Sequence, residues 1–273
     1  MIFNGVDYAW NHPTPGQLRD AGKMFAIRYI TGTDDGKFLR DSERTALHAA
    51  GIAVGLTVET FAGAYQGGFM VGQNHGRLAT EYVTSHLVPP SVAVFFALDQ
   101  DLSTTGRFPA ANSYLAGVRD TYHGKLGVYG GLVAGGLVAD SEIFWQTYAW
   151  SRGGWSKRAQ VRQYQNEVRL GQGIVDLCEA DTLDHFWLPS GKYVAPVQAP
   201  PWGGKTVSVG STGEVVRTVQ QRLRDRGWTI DVDGQFGPQT EGVVRQFQRE
   251  KGLTVDGIVG PITWRALWET PVT

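Results

Sequence analysis

With 273 residues, 42% of them hydrophobic, the chain can build one large domain and a small one around ample cores. Its 25 Lys and Arg nearly balance 26 Asp and Glu, and nine basic and eight acidic residues lie from Lys205 onward, so neither part is a polycation and nucleic-acid binding through clustered phosphate contacts has no support. The single cysteine, Cys178, excludes an intrachain disulfide and a multi-thiolate zinc site.

In chain order, apolar or β-rich runs at 2–8, 24–30, 52–59, 92–99, 126–129, 143–148, 160–165 and 174–177 predict eight strands. Between the earlier ones, stretches with apolar residues three and four apart predict helices over 15–21, 41–50, 72–86 and 110–122. Alternating strands and helices imply parallel pairing, and eight such units in about 190 residues suggest a compact α/β (β/α)₈ barrel of TIM type, with an open sheet as the alternative. The last three strands follow one another closely, so some helices there must be short or missing. Residues 192–205, KYVAPVQAPPWGGK, combine three prolines and two glycines without periodicity and read as a linker. The expected division is a barrel over 1–190, a linker over 191–205 and a second domain over 206–270.

That second domain reads as three helices. Residues 211–226 and 237–251 are amphipathic, with Val215, Val216, Val219 and Leu223 on one face of the first and Val243, Val244 and Phe247 on one face of the next. A short third helix carries Trp264, Leu267 and Trp268. Two copies of one pattern lie in it: Asp233-Gly234-Gln235-Phe236-Gly237-Pro238-Gln239-Thr240 and Asp256-Gly257-Ile258-Val259-Gly260-Pro261-Ile262-Thr263. In each, Asp-Gly makes a turn and Gly-Pro opens a helix. The whole segment resembles the peptidoglycan-binding domain 1 family, which implies a helical bundle with affinity for bacterial wall. Asp233, Gln235 and Asp256 are the candidate wall contacts; Phe236 reads as core.

In the barrel, acids fall at strand ends: Asp7, Glu59, Asp99, Asp101 and Asp176. Glycosidic cleavage needs two carboxyl groups flanking the bond, and barrels place such groups at the C-terminal ends of their strands. Strand alternation would project Asp99 and Asp101 to one face, where two neighbouring carboxylates raise one pKa. Any one of these acids could instead cap a helix, as Asp34, Asp35 and Asp41 are expected to cap or lie in loops. Tyr8, Trp10, Tyr29, Tyr129, Tyr148 and Trp150 cluster at strand ends, where rings could stack on sugars. Arg28 and Gln163 are candidates for N-acetyl or lactyl contacts, and Asp176 is a candidate substrate contact or a buried partner closing the barrel.

Gly5-Val6-Asp7, Arg28-Tyr29-Ile30, Phe96-Ala97-Leu98-Asp99-Gln100-Asp101, Gly127-Val128-Tyr129-Gly130, Trp145-Gln146-Thr147-Tyr148-Ala149-Trp150, Gln163-Tyr164 and Val175-Asp176 resemble the glycoside-hydrolase-like barrels of domain-of-unknown-function 1906. More distantly they are similar to the family 25 lysozymes. The resemblance covers residues 1–188 and implies a TIM-type barrel and, from the lysozymes, muramidase chemistry. Those enzymes carry Asp at the end of the first strand and Asp-x-Glu after the fourth; Asp7, Asp99 and Asp101 match, with Asp101 where Glu stands in the lysozymes. Either Asp101 is the proton donor or Glu59 takes that role, while Asp99 and Asp7 stabilise the sugar cation or orient its acetamido group.

His12, His48, His75, His86, His123 and His185 include no metal-binding spacing and each reads as a surface or capping residue, so no metal and no cofactor is expected. Cys178, the thiol an amidase would need, reads as a small buried residue. The expectation is an endolysin-like peptidoglycan hydrolase of muramidase type, with a non-catalytic wall-binding protein or an amidase or peptidase as alternatives. Behind Met1, Ile2-Phe3-Asn4-Gly5 lacks a basic and an apolar leader region, and no apolar run reaches the ~18 residues of a membrane span. A monomer without membrane insertion, made in a host cytoplasm without a signal peptide and released to the wall by a holin, is therefore expected.

Overall fold

The computed structural model describes residues 2–189 and 199–269, and these two stretches form two compact units. In the first unit all eight predicted runs become strands: β1 (Phe3–Asp7), β2 (Phe25–Ile30), β3 (Ala53–Val58), β4 (Ala93–Ala97), β5 (Lys125–Gly130), β6 (Ile143–Thr147), β7 (Ala159–Leu170) and β8 (Gly173–Ala180). They close in chain order into one TIM-like barrel. Helices α1 (Pro15–Asp20), α2 (Asp41–Ala49), α3 (Gly68–Ser85) and α4 (Arg107–Thr121) follow β1 to β4, and only a 3₁₀ turn, Leu132–Leu137, separates β5 from β6. Every residue of β2, β3 and β4 is buried, since side chains fill the barrel within and helices cover it without.

The pairing is parallel from β1 through β7, but β8 runs antiparallel to both β7 and β1. Only Gly171 and Gln172 lie between β7 and β8, and a parallel crossover needs a dozen residues or more, so this connection can only be a hairpin. The expectation of parallel strands throughout is corrected at this one place.

Local sequence explains the helices that matter for the site. Thr14 and Gln17 form a reciprocal capping box ahead of α1, with Pro15 at the first helical position. Helices α3 and α4 touch through glycine: a Cβ on Gly72 would lie 2.0 Å from the carbonyl oxygen of Tyr114, and one on Gly117 2.0 Å from that of Phe69. At the N-terminal end of the barrel, Trp187 pairs with Val54 through two backbone hydrogen bonds of 2.7 and 2.9 Å.

The second unit contains α5 (Glu214–Asp225), α6 (Pro238–Glu250) and α7 (Pro261–Glu269) around Val216, Val219, Leu223, Phe236, Val244 and Phe247. Its duplicated sequence is a duplicated structure. The side-chain amide of Gln220, fully buried, donates to Asp233 Oδ1, the Gln235 carbonyl and Thr240 Oγ1, and accepts from the Gly234 N–H. Gln248 repeats this pattern with Asp256, the Ile258 carbonyl, Thr263 and Gly257. Of the expected linker, residues 191–198 lie outside the described residues; the part from Ala199 is attached to this unit, with Trp264 Nε1 donating to the Pro200 carbonyl at 2.8 Å and Trp202 stacked edge-on against Trp264. Among the described residues no helix is long and apolar enough to cross a membrane.

Candidate active site

The C-terminal ends of the barrel strands surround a cavity of about 550 Å³. Four of the predicted acids line it: Asp7 closing β1, Glu59 just past β3, Asp99 past β4 and Asp176 near the start of β8. The reversal of β8 is what brings Asp176 there, because its N-terminal half lies beside the C-terminal end of β1 and Asp7 pairs directly with Asp176. Tyr29, Tyr129 and Trp145 form the inner wall, and Trp10, Phe61 and Trp150 expose their rings at the rim.

Asp7 is buried, and its carboxylate is held from three sides. Oδ1 accepts from the Tyr29 hydroxyl at 3.4 Å, and Oδ2 accepts from Gln163 Nε2 at 2.8 Å and from the Cys178 thiol at 3.2 Å. The same Gln163 nitrogen donates to Asp176 Oδ2 at 3.0 Å, while the Glu167 N–H donates to Asp176 Oδ1 at 2.8 Å. Gln163 Oε1 accepts from the Tyr129 hydroxyl at 3.0 Å. Burial pushes Asp7 far above the ordinary carboxylate range and the charge of Asp176 pushes it further; Asp176 is raised by its own burial. Burial, seconded by the charge of Glu59 and opposed by Lys37, lifts Asp99 to about 6. Glu59 is ion-paired with Lys37 at 2.5 Å, and that ammonium sits 4.2 Å from the centre of the Tyr29 ring.

Three of the expected contacts lie elsewhere. Strand β4 ends at Ala97, so alternation does not carry through to Asp101. Asp101 lies off the cavity wall, where it caps a turn by accepting from the backbone N–H and hydroxyl of Ser103 at 2.9 and 2.7 Å. Those bonds hold its carboxyl below the usual value, the opposite of what a proton donor needs. Arg28 is fully buried behind the wall: it pairs with Glu43 at 2.8 Å, donates to the carbonyls of Tyr8 and Lys37, and stacks on the Tyr8 ring, which leaves no free face for a sugar. Tyr148 is exposed but outside the cavity wall.

The histidine expectation also changes. His12 bonds Arg28 and Glu43, and buried His75 bridges Thr60 and Tyr114. In the helical unit, Asp233 and Asp256 are occupied by the two glutamine networks, while the Gln235 side chain is exposed. Sequence reasoning missed Lys37, Trp145 and Asn166. Lys37 follows the Asp34-Asp35 loop after β2 and could have been found as the one basic residue there before Arg40; nothing local distinguishes the other two. Among the described residues no group of three or more His, Cys, Asp or Glu is placed to hold a metal ion.

An eight-stranded barrel with acids gathered at its strand ends, an aromatic rim and a separate helical unit define the class: a glycoside-hydrolase-like barrel joined to a binding module. The chain belongs to the family of Rv2525c-like, glycoside hydrolase-like domains, whose family model matches residues 16–184. Residues 212–267 match the peptidoglycan-binding domain. Together they join a glycoside-hydrolase-like barrel to a peptidoglycan-binding type of domain in one chain.

The barrel fold is shared with the Tat-secreted protein Rv2525c of Mycobacterium tuberculosis, at 23% identity over 68% of this chain and 98% of that one, with a TM-score of 0.60. The zinc D-Ala-D-Ala carboxypeptidase of Streptomyces albus G is 44% identical over 71 residues, and the N-acetylmuramoyl-L-alanine amidase CwlM of Mycobacterium tuberculosis is 51% identical over 57 residues. The matches cover 25% and 20% of this chain, and only 28% and 14% of those relatives. The expectation of a chain made without a signal peptide is corrected here, because Rv2525c, whose barrel has the same fold, is a Tat-secreted protein.

Proposed function

We propose that the barrel hydrolyses the glycan strand of peptidoglycan, as a muramidase, with Asp99 as the proton donor in place of Asp101. The observation that carries this reading is the setting of Asp99: its carboxyl is lifted to about 6 by burial and by Glu59 in the wall of an aromatic-rimmed cavity. An acid of that strength keeps a proton at mildly acidic pH and gives it to the departing glycosidic oxygen. Glu59, held by Lys37 on the same wall, stabilises the positive charge that develops on the sugar. Asp7 holds the Tyr29 hydroxyl, and Gln163, which bridges Asp7 and Asp176, holds that of Tyr129; together they complete the floor. The peptidoglycan-binding module keeps the barrel at high local concentration on its insoluble substrate. Export, as for Rv2525c, brings the chain to the wall.

Digestion of purified peptidoglycan, with products read by mass spectrometry, tests this. New reducing ends on muropeptides, lost in Asp99→Asn and retained in Asp101→Asn, are the expected result. Free stem peptides would identify an amidase or peptidase, and bound but intact wall a binding protein.

A further inference from the structure

A chain of three polar side chains runs from the β3 edge of the cavity into the core. Thr60, one residue past Glu59, lines the cavity and is half-buried. Its Oγ1 lies 3.1 Å from Nε2 of His75 on α3, and His75 Nδ1 lies 2.8 Å from the hydroxyl of Tyr114 on α4. The inner contact is buried and the outer one only partly, so the open end of the chain is Thr60. Tyr114 is fully buried, and among the described residues His75 is the partner of its hydroxyl.

Counting protons gives this chain a direction. Burial lowers His75 to about 4, so near neutral pH its imidazole is uncharged, with one N–H and a lone pair on the other nitrogen. An N–H on Nδ1 would point at Tyr114, whose own proton would then be buried without an acceptor, an arrangement that folded proteins avoid. With the N–H on Nε2, the Tyr114 hydroxyl donates to Nδ1, Nε2 donates to Thr60 Oγ1, and both buried groups are satisfied. Thr60 then keeps its own proton free to donate on the cavity side. We propose that the buried Tyr114–His75 pair makes the Thr60 hydroxyl a hydrogen-bond donor toward the cavity, where it holds a hydroxyl, ether or carbonyl oxygen of the bound glycan. His75 and Tyr114 are positioning residues in this arrangement, and Thr60 is the residue that meets the ligand. With Lys37 engaged by Glu59, Thr60 supplies this acidic wall with a neutral donor. The proposal rests on the reading of the cavity as a glycan site.

Nitrogen NMR of the full chain, labelled at histidine, reads the tautomer. His75 should carry its proton on Nε2, and a proton on Nδ1 would overturn the proposal whatever the cavity binds. Calorimetric titration with chitotetraose reads the contact. Thr60→Val, isosteric but without the hydroxyl, should weaken binding about fivefold, the size of one hydrogen bond. Thr60→Ser, which keeps the hydroxyl, should stay within about twofold of the wild type. Tyr114→Phe removes the buried proton that sets the tautomer, so the Nδ1–H form of His75 should appear in the spectrum and binding should weaken about threefold with Thr60 itself untouched. Unchanged binding in Thr60→Val, equal weakening in Thr60→Ser, or a Tyr114→Phe variant that changes neither signal would overturn the proposal. The two readings fail differently. A wild type that binds no chitotetraose and releases no reducing ends from peptidoglycan removes the glycan site and this contact with it, whereas chitotetraose binding that does not depend on Thr60 removes this contact alone.

Discussion

Asp7 and Asp176 sit directly opposite one another in the antiparallel β1–β8 pair and share one hydrogen-bond donor, the Gln163 amide, at 2.8 and 3.0 Å. Two carboxyl groups placed this way cannot both ionise without cost.

The contribution of this pair to stability should therefore fall as pH rises. Both pKa values are raised in the folded barrel, so above the unfolded value of 3.8 the folded state holds protons that the unfolded chain has released, and each step up in pH through the folded values favours unfolding. Asp176→Asn removes one carboxyl and the charge that raises Asp7. The slope of thermal midpoint against pH between 5 and 8 should flatten by a few degrees over that window, roughly 2–4 °C for each kcal/mol recovered. An unchanged slope would mean that the pair does not govern it.

The two acids after β4 should separate cleanly. Asp99→Asn should lower kcat by about a hundredfold or more, the usual worth of a general acid, while Asp101→Asn, which loses only a turn cap, should stay within about twofold. In the wild type, kcat/KM should decline above about pH 6 as Asp99 loses its proton.

The neighbours of Asp99 should move its titration in opposite directions. Lys37 lowers it and Glu59 raises it. Carbon-detected NMR of the Asp99 carboxyl should show its midpoint rising in Lys37→Met and falling in Glu59→Gln. A shift of the same sign in both variants would contradict the assigned electrostatics.

The duplicated amide networks make Gln220 and Gln248 equivalent supports of the helical module. Gln220→Ala strands the Gly234 N–H and Thr240, and Gln248→Ala strands Gly257 and Thr263. Each should cost about 2–3 kcal/mol, the penalty for burying unpartnered polar groups. Chemical denaturation and sedimentation with insoluble wall read the two losses, which should be similar.

Much of this molecule was legible before its coordinates. All eight strands, the four barrel helices and the three module helices follow from local periodicity. The two Asp-Gly turns and Gly-Pro helix starts reveal the duplication, although the glutamines that hold them are visible only in the fold. The acids at strand ends were legible as a set, and the burial of Cys178 followed from its apolar surroundings. The placement of Asp101 was not, because β4 ends at Ala97 and strand alternation does not extend the four residues from there to Asp101. Arg28 looked like a substrate contact because nothing local shows that Glu43, 15 residues away, takes its guanidinium.

The sequence by itself determined the secondary structure, the barrel-plus-module architecture and a short roster of acids, since periodicity, turn chemistry and strand ends are local properties. Only the tertiary structure decided which acids meet. Asp7 and Gln163 lie 156 residues apart, and the Gln163 amide donates to both Asp7 and Asp176 because the two-residue connection before β8 forces that strand to run backwards, bringing its first half to the mouth of the barrel. Electrostatic coupling follows distance in space, and that distance is created only when the barrel closes.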